Sequence, residues 1–348
     1  MNKRLTITRE AILGGILVAF ILFLGLTTSF ATRSGIYSFM LDVSPTMVAA
    51  IALGMVIFTG NIDISAGTIS GFVAYTAGAL VKAGAPMIVF VPAALLVGTF
   101  LAGINGFITV KFKVPSIVVT LAMNMVHIGF YATFLPQSGW IENLGSTFTW
   151  FGRGRIFDII PYTFVVAIVV AVIAVFVMKY TRFGRALYAV GGNRQSAIYS
   201  GIKPDATVMK VFLVEGFLIG VSALLRAMTR NEVMPSVFIG RELFFIAAAL
   251  VGGISIFGGS GKIIGAVLGA ALVYLLSIAM IYFGLQDYYQ FALQGAIILI
   301  AVYITVADFS KIRKRFTRRR FSAAGAEAIT STGGSDSNES AGSGGRHE

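Results

Sequence analysis

Long apolar runs alternate with short polar segments along the chain as far as residue 307. Because about 20 apolar residues cross the hydrocarbon core of a bilayer, each run predicts a transmembrane helix. The pattern therefore predicts an all-α, polytopic transmembrane helical bundle of about ten spans. The predicted spans cover residues 11–30, 43–58, 66–81, 86–110, 114–135, 159–178, 208–228, 243–257, 263–283 and 289–307.

The polar segment GNIDIS, residues 60–65, joins the second run to the third. Its polar residues admit two compatible interpretations. Asn61 and Asp63 are turn residues between two helices, with Ser65 as the cap of the next helix. Alternatively, they mark a broken helix whose polar groups face a polar path through the membrane. A carboxylate near the bilayer centre is costly, so Asp63 must lie at an interface, be paired or line a wet cavity.

The chain also contains a candidate internal repeat. A displacement of 192 residues aligns TGNIDISAGT, residues 59–68, with VGGISIFGGS, residues 251–260, with four identities. Gly and Ile are common in this chain, so coincidence remains an alternative. Both segments nevertheless interrupt apolar runs at corresponding places, which is typical of a transport site. We therefore predict two related halves with broken helices, and a pathway near Asn61, Asp63, Ser65 and the repeat partner Ser255.

Two polar residues within the fifth run, Asn124 and His127, are three positions apart and share a helix face. Hydrogen bonding between helices is the favoured interpretation, and contact with a transported molecule is the alternative. Asn124 is included among the candidate pathway residues on the second interpretation.

Charge supports the ten-span prediction. Only 12% of the 348 residues are charged, against about 25% in soluble domains. With both termini in the cytoplasm, twenty of the 27 Lys and Arg fall on the cytoplasmic side, as the positive-inside rule requires. The net charge of +12 thus reports orientation, and nucleic acid is not a predicted partner.

The composition changes near residue 310. Residues 1–310 are predicted to form the transmembrane domain, with a cytoplasmic loop at residues 179–208. The basic segment KIRKRFTRRR, residues 311–320, predicts contact with anionic membrane lipid. The Gly- and Ser-rich remainder of the tail to residue 348 is predicted to be disordered.

Several classes of chemistry lack their sequence signals. The chain has no Cys, which excludes disulfides and thiolate metal sites. GGSGKI, residues 258–263, lacks the leading Gly and the Ser or Thr of a phosphate-binding loop. We find no catalytic or metal-ligand pattern and predict no enzymatic activity and no cofactor.

Three ordered motifs together carry a family resemblance: GNIDISAGTISG, FGRALYAVGGNRQSAIYSGIK and LVGGISIFGGSGKIIGAVLGAAL. The chain resembles the inner-membrane permease subunits of bacterial ABC importers of the ribose, xylose and arabinose type. The family's first motif usually reads GGIDLSVG, and here Asn61 replaces the second Gly and Ala66 replaces Val. NIDIS and WIENLG, residues 140–145, are also similar to the branch that imports autoinducer-2.

The resemblance implies import of a monosaccharide or similar small polyol across the bacterial inner membrane. It implies a second permease copy in a homodimer or heterodimer, two cytoplasmic ATPase subunits and a periplasmic sugar-binding protein. An ion-coupled secondary transporter is the alternative from another class, with Asp63 and Glu215 as coupling residues.

A short helix is predicted within the cytoplasmic loop, where Asn193 can cap its start and Gly201 can end it. About two turns cannot be stable alone, so this helix must dock, and the resemblance implies an ATPase groove. We expect Ala197 and Ile198 to be exposed to that groove. The predicted coupling residues are Gly192, Asn193, Arg194, Ala197, Ile198, Ser200 and Gly201.

On the opposite side, MTRNEVMPSVFIGRE carries mixed charges, including Arg230, Glu232 and Arg241. We predict that this segment docks the binding protein, because rim charges steer association. A solvated surface is the alternative.

Overall fold

The structure is a computed structural model that describes residues 9–135 and 139–284, together with positions 289, 292, 295, 296, 299, 300 and 303. The described residues form twelve α-helices: α1 Arg9–Thr27, α2 Arg33–Phe58, α3 Ala66–Lys82, α4 Met87–Phe112, α5 Ser116–Phe134, α6 Gly145–Arg153, α7 Tyr162–Tyr180, α8 Arg182–Gly192, α9 Arg194–Tyr199, α10 Pro204–Ala227, α11 Arg241–Val251 and α12 Ile263–Tyr282.

Seven helices of the described part are long and apolar enough to cross a membrane: α1, α2, α4, α5, α7, α10 and α12. The polytopic all-α prediction is therefore confirmed, whereas the count of about ten spans is not. Two predicted spans correspond to the shorter helices α3 and α11, of 17 and 11 residues. The predicted span at 289–307 falls largely outside the described residues, and the tail at 311–348 falls wholly outside them.

Four two-residue strands, which the sequence analysis did not predict, define one end of the bundle. They are β1 Ile141–Glu142, β2 Arg155–Ile156, β3 Ile160–Pro161 and β4 Glu232–Val233. The strands β1 and β4 pair antiparallel with Ile141 opposite Val233, and β2 pairs with β3. We call this end of the bundle the strand end.

The opposite end, which we call the break end, contains residues 59–65, 181–203 and 252–262. The first of these segments links α2 to α3, and the last links α11 to α12. We call them the first break and the second break.

Helix α2 forms the centre of the bundle. Every residue from Val43 to Phe58 is buried, and α2 packs against α7, α10, α11 and α12. The helix begins ten residues before the predicted span because the side chain of Thr32 accepts a hydrogen bond from Gly35 N and caps it. The first ten residues of α2 include polar residues, so the apolar run begins only at residue 43 although the helix has already begun at Arg33.

Small residues allow the helices to approach closely. A Cβ at Gly216 of α10 would overlap the Gly98 carbonyl oxygen of α4, as is usual where small residues line a helix contact in a membrane. A Cβ at Gly269 of α12 would likewise overlap the Ala248 carbonyl oxygen of α11. Backbone contact therefore fixes the pairs α4/α10 and α11/α12.

Candidate translocation site

In the first break, Asp63 acts as the cap of α3. Its Oδ1 atom accepts hydrogen bonds from Ser65 N at 2.6 Å and Ser65 Oγ at 2.7 Å, and both residues are fully buried. The sequence analysis expected Ser65 to be the cap, but the Ser65 side chain makes no capping bond. The carboxylate receives the free N–H groups at the helix start, where negative charge is favourable.

Asn105 of α4 holds this cap from the side. Its Nδ2 donates to Ser65 Oγ at 2.7 Å and to Asp63 Oδ2 at 3.3 Å. The buried carboxylate is therefore bonded through both oxygens. This arrangement meets the sequence expectation that a carboxylate in this environment must be paired.

One face of α5 binds the backbone of the first break. Ser116 Oγ accepts from Ile62 N at 3.0 Å, and Thr120 Oγ1 accepts from Ile64 N at 3.0 Å and donates to Ile62 O at 3.3 Å. These bonds satisfy groups that a continuous helix would have paired internally. The sequence analysis missed both hydroxyls, although their spacing of four residues places them on one helix face.

The same face of α5 continues to Asn124 and His127, which are both buried. His127 Nδ1 lies 2.9 Å from Thr68 Oγ1 of α3, and the ring packs edge-on against Phe72. Tyr131 donates to the Thr68 carbonyl oxygen. The preferred interpretation of His127, a bond between helices, is confirmed.

The second break repeats a feature of the first. Ser255 aligns with Asp63 in the repeat, and Ser255 Oγ accepts from the N–H two residues further on, Phe257 N, at 3.3 Å. Asp63 makes the equivalent bond to Ser65 N. The two breaks share this hydrogen bond, but Gly67 lies in α3 whereas its aligned partner Gly259 lies in the second break. The repeat of two related halves therefore stays a prediction.

The two breaks also touch, because a Cβ at Gly258 of the second break would lie 2.7 Å from Gly60 N of the first. Beside this contact, Gly259 N donates to the carbonyl oxygen of Phe58, the last residue of α2, at 3.0 Å.

The predicted short helix at the break end is confirmed as α9, Arg194–Tyr199. Asn193 Oδ1 accepts from Ser196 N at 2.9 Å, and Gly201 has a φ of +77°. One expectation was wrong: Ala197 is only 2% exposed and belongs to the hydrophobic core of the chain itself. A helix this short buries the side it turns toward the bundle, so its exposed apolar residues are Ile198 and Tyr199.

A cavity of about 460 Å³ connects the first break to the start of α9. Its polar lining includes Asn61, Thr109 and Lys113, together with Arg194 and Asp205, which form an ion pair. Asn61 is thus the predicted pathway residue that lines this cavity. Asp63, Ser65 and Asn124 are buried behind it, and Ser255 lies in the turn of the second break.

At the strand end, two distant loops form one surface. Trp140 Nε1 donates to Glu232 Oε2 at 3.2 Å, and Gly145 N donates to Asn231 Oδ1 at 2.8 Å, beside the β1/β4 pair. Arg230 and Glu232 are exposed, whereas Arg241 is half-buried. Each loop has recognisable features in the sequence, but no sequence pattern predicts that the two loops pair.

Glu215 of α10 and Glu242 of α11 are further buried carboxyl groups. Within the part of the chain that the structure describes, neither oxygen of Glu215 has a hydrogen-bond partner. Among the described residues, no group of three or more His, Asp or Glu is arranged to hold a metal ion.

Comparison with known proteins assigns this apolar helical bundle to a family of membrane permeases. Residues 35–302 match the family of permease components described as "Branched-chain amino acid transport system / permease component". The match covers well over half of the chain, and the chain belongs to this family. It is therefore a multi-pass membrane protein. No solved structure matches the chain.

Among curated relatives, the ribose import permease of Haemophilus influenzae is 30% identical over 276 residues, covering 78% of this chain and 85% of the relative. The ribose import permease of Bacillus subtilis is 29% identical, covering 83% and 90%. An autoinducer-2 import system permease of Yersinia enterocolitica is 31% identical, covering 73% of this chain and 70% of the relative.

Proposed function

We propose that this chain is the membrane-spanning permease subunit of an ATP-binding-cassette importer for a monosaccharide or similar small polyol. The observation that carries the proposal is the pair of touching helix breaks in a chain whose relatives are ribose and autoinducer-2 permeases. Broken helices at corresponding places in two halves are the usual location of a transport site. Import of autoinducer-2 is the alternative cargo within the same family.

The break end faces the cytoplasm in this proposal, and both termini lie on that side of the inner membrane. The support is the location of the bases, since cytoplasmic segments carry an excess of Lys and Arg. The described break-end bases are Lys111, Lys113, Lys179, Arg182, Arg185, Arg194, Lys203, Lys210 and Lys262.

The helix α9 is the element that engages the ATPase subunit. Ala197 packs α9 onto the chain's own core, which stabilises so short a helix. Ile198 and Tyr199 leave apolar area on the open side, at 46% and 81% exposure. Asn193, Ser200 and Gly201 set the start and end of α9, and the ion pair of Arg194 with Asp205 holds it against α10. Gly192, which the sequence also predicts as a coupling residue, is the last residue of α8 and takes no part in the proposed contact. A short helix laid in a hydrophobic groove is a common recognition mode.

The paired loops at the strand end are the docking surface for a periplasmic binding protein. Arg230 and Glu232 provide exposed charge of both signs beside the exposed ring of Trp140, and Arg241 extends the charged surface. Charges at the rim of an interface raise the association rate and favour the correct partner. A second permease copy, identical or related, completes the proposed importer.

The proposed cargo path passes the touching breaks and the cavity at Asn61. Asp63, Ser65 and Asn105 hold the break in place, while amide and hydroxyl groups near the path bond a neutral polyol. Such groups let cargo leave as readily as it enters. Asn124 contributes an amide oxygen that has no hydrogen-bond partner among the described residues.

The test is uptake into proteoliposomes. The permease is reconstituted with and without an ABC ATPase and a periplasmic sugar-binding protein, and uptake of labelled ribose, allose and autoinducer-2 is measured. We expect uptake to require ATP and both partners. Uptake that is driven by an imposed proton or sodium gradient, without the ATPase, would instead establish the ion-coupled secondary transporter.

A further inference from the structure

The end of α8 is in backbone contact with the last residue of α2, where the first break begins, and with the second break. A Cβ at Gly191 would overlap the Phe58 carbonyl oxygen and lie 2.6 Å from Gly259 N. Phe58 precedes the first break, and Gly259 lies in the second. The same carbonyl accepts a hydrogen bond from Gly259 N at 3.0 Å, so α8 rests on the bond that joins the second break to the end of α2.

A second contact from α8 reaches the same place. The hydroxyl of Tyr188 donates to the Gly261 carbonyl oxygen of the second break at 2.9 Å, and its ring packs on Phe58 at 4.7 Å between centroids. Tyr188 and Gly191 are three residues apart and therefore share one face of α8. Both contacts of α8 with this region, through Tyr188 and through Gly191, therefore come from one face of the helix.

We propose that Gly191 and Tyr188 are positioning residues that transmit movement of the α8–α9 segment to both breaks at once. The inference rests on the proposed function, in which α9 engages an ATPase. The α8–α9 segment and the two breaks then move together. A displacement of α9 therefore shifts the first break and the second break at the same time.

The physical reason is the closeness of the contact. Backbone groups at van der Waals distance, with a hydrogen bond between them, cannot slide past one another as exposed side chains do. Such packed contacts switch between discrete arrangements and do not deform gradually. Only glycine at position 191 permits this approach, because any Cβ would push α8 away from Phe58.

The neighbouring glycine provides a matched control. A Cβ at Gly192 would meet no atom within 4 Å, although Gly192 lies in the same turn of α8. Both Gly→Ala changes raise helix propensity by a similar amount. A difference between Gly191→Ala and Gly192→Ala therefore reports the contact with the breaks and not the helix itself.

The experiment uses the complete importer in proteoliposomes and measures cargo imported per ATP hydrolysed. For Gly191→Ala we expect assembly with the ATPase to persist and this ratio to fall about tenfold, within the range of known coupling effects. Gly192→Ala should equal the unmodified chain. Tyr188→Phe keeps the ring and loses the hydroxyl bond, so it should give a smaller loss of about threefold.

A distance measurement separates coupling from simple folding. Because the chain has no Cys, spin labels can be placed at Arg182→Cys in α8 and Phe257→Cys in the second break, which are both exposed. We expect one label-to-label distance in both the nucleotide-free and the ATP-trapped importer. In the Gly191→Ala background, this distance should change with the nucleotide state.

Two results would overturn this inference and leave the proposed function standing. One is an equal import ratio for Gly191→Ala and Gly192→Ala. The other is a label-to-label distance that changes with nucleotide in the unmodified chain. If Gly191→Ala does not assemble, an unchanged ratio for Tyr188→Phe overturns the inference. If the unmodified chain imports nothing with its ATPase, the proposed function and the inference both fail.

Discussion

At the scale of single residues, Asp63 is the clearest case for a test. Its Oδ1 caps α3 and its Oδ2 accepts from Asn105. We expect Asp63→Asn to retain most uptake, because Asn is as good a helix cap as Asp. Asp63→Leu should lose uptake and about 1–3 kcal/mol of stability, since buried N–H groups are left unbonded. Thermal unfolding and uptake on the same preparations measure both effects.

The pair of variants distinguishes a cap from a charge. If Asp63→Asn abolishes uptake while its unfolding temperature is unchanged, the negative charge itself is required and the capping account is wrong. Ser70→Ala is a suitable control, because Ser70 is a buried hydroxyl in α3 that bonds only the Ala66 carbonyl oxygen of its own helix. It should leave uptake unaltered.

The polar residues of the first break could be predicted from the sequence, because a carboxylate between two apolar runs requires an explanation. The hydroxyls of Ser116 and Thr120 could not. They bond backbone atoms 54 and 56 residues away, and a Ser or Thr in an apolar helix most often bonds its own helix. The exposure of Ala197 was predicted wrongly because six residues are too few for a reliable apolar face.

At the scale of elements, α9 is predicted to be the contact with the ATPase. Ile198→Asp should weaken binding of the ATPase subunit at least tenfold, because a carboxylate would be desolvated in an apolar groove. Gln195→Asp is the matched control, since Gln195 is an exposed polar residue of the same helix. Binding can be measured by titrating the ATPase against detergent-solubilised permease. Equal affinities for the two variants would place the ATPase contact elsewhere.

The paired loops at the strand end support a separate prediction. Arg230→Glu should slow association of the binding protein several-fold at low salt, and the difference should shrink as salt is raised. Arg155→Glu is the control, because Arg155 is an exposed base on the other strand pair. Surface plasmon resonance at two salt concentrations gives both rates. An association rate indifferent to Arg230→Glu would remove this surface from the docking model.

The helices themselves could largely be predicted from the apolar runs, but their ends could not. Helix α2 extends ten residues beyond its run because Thr32 caps it, and α11 ends at Val251, six residues before the apolar run does. The strand pair β1/β4 joins residues about 90 positions apart. Pairing of two-residue strands has no period to detect in the sequence.

At the scale of the whole molecule, the repeat was visible in the sequence as four identities, but the contact between the breaks was not. The aligned segments differ in length, with 7 residues between α2 and α3 and 11 between α11 and α12. The extra residues include Gly258 and Gly259, both with positive φ, which turn the second break back onto Phe58. The two breaks thus meet through backbone contacts, which leave no pattern of side chains to recognise.

At the same scale, substitution of Glu215 tests whether ATP or an ion gradient drives transport. An ion-coupled transporter needs a carboxyl that binds and releases a cation, and Glu215 is fully buried with no hydrogen-bond partner for either oxygen among the described residues. A charged side chain without a partner is costly inside the membrane. Gln has nearly the same shape as Glu and carries no charge, so Glu215→Gln should not disturb the packing. If ATP drives import, Glu215→Gln should keep uptake within about twofold and leave it independent of an imposed proton gradient. Uptake is measured at several external pH values with ATP inside the vesicles. A loss of more than tenfold in a folded Glu215→Gln variant, with Glu242→Gln unaffected, would favour ion coupling through this carboxyl.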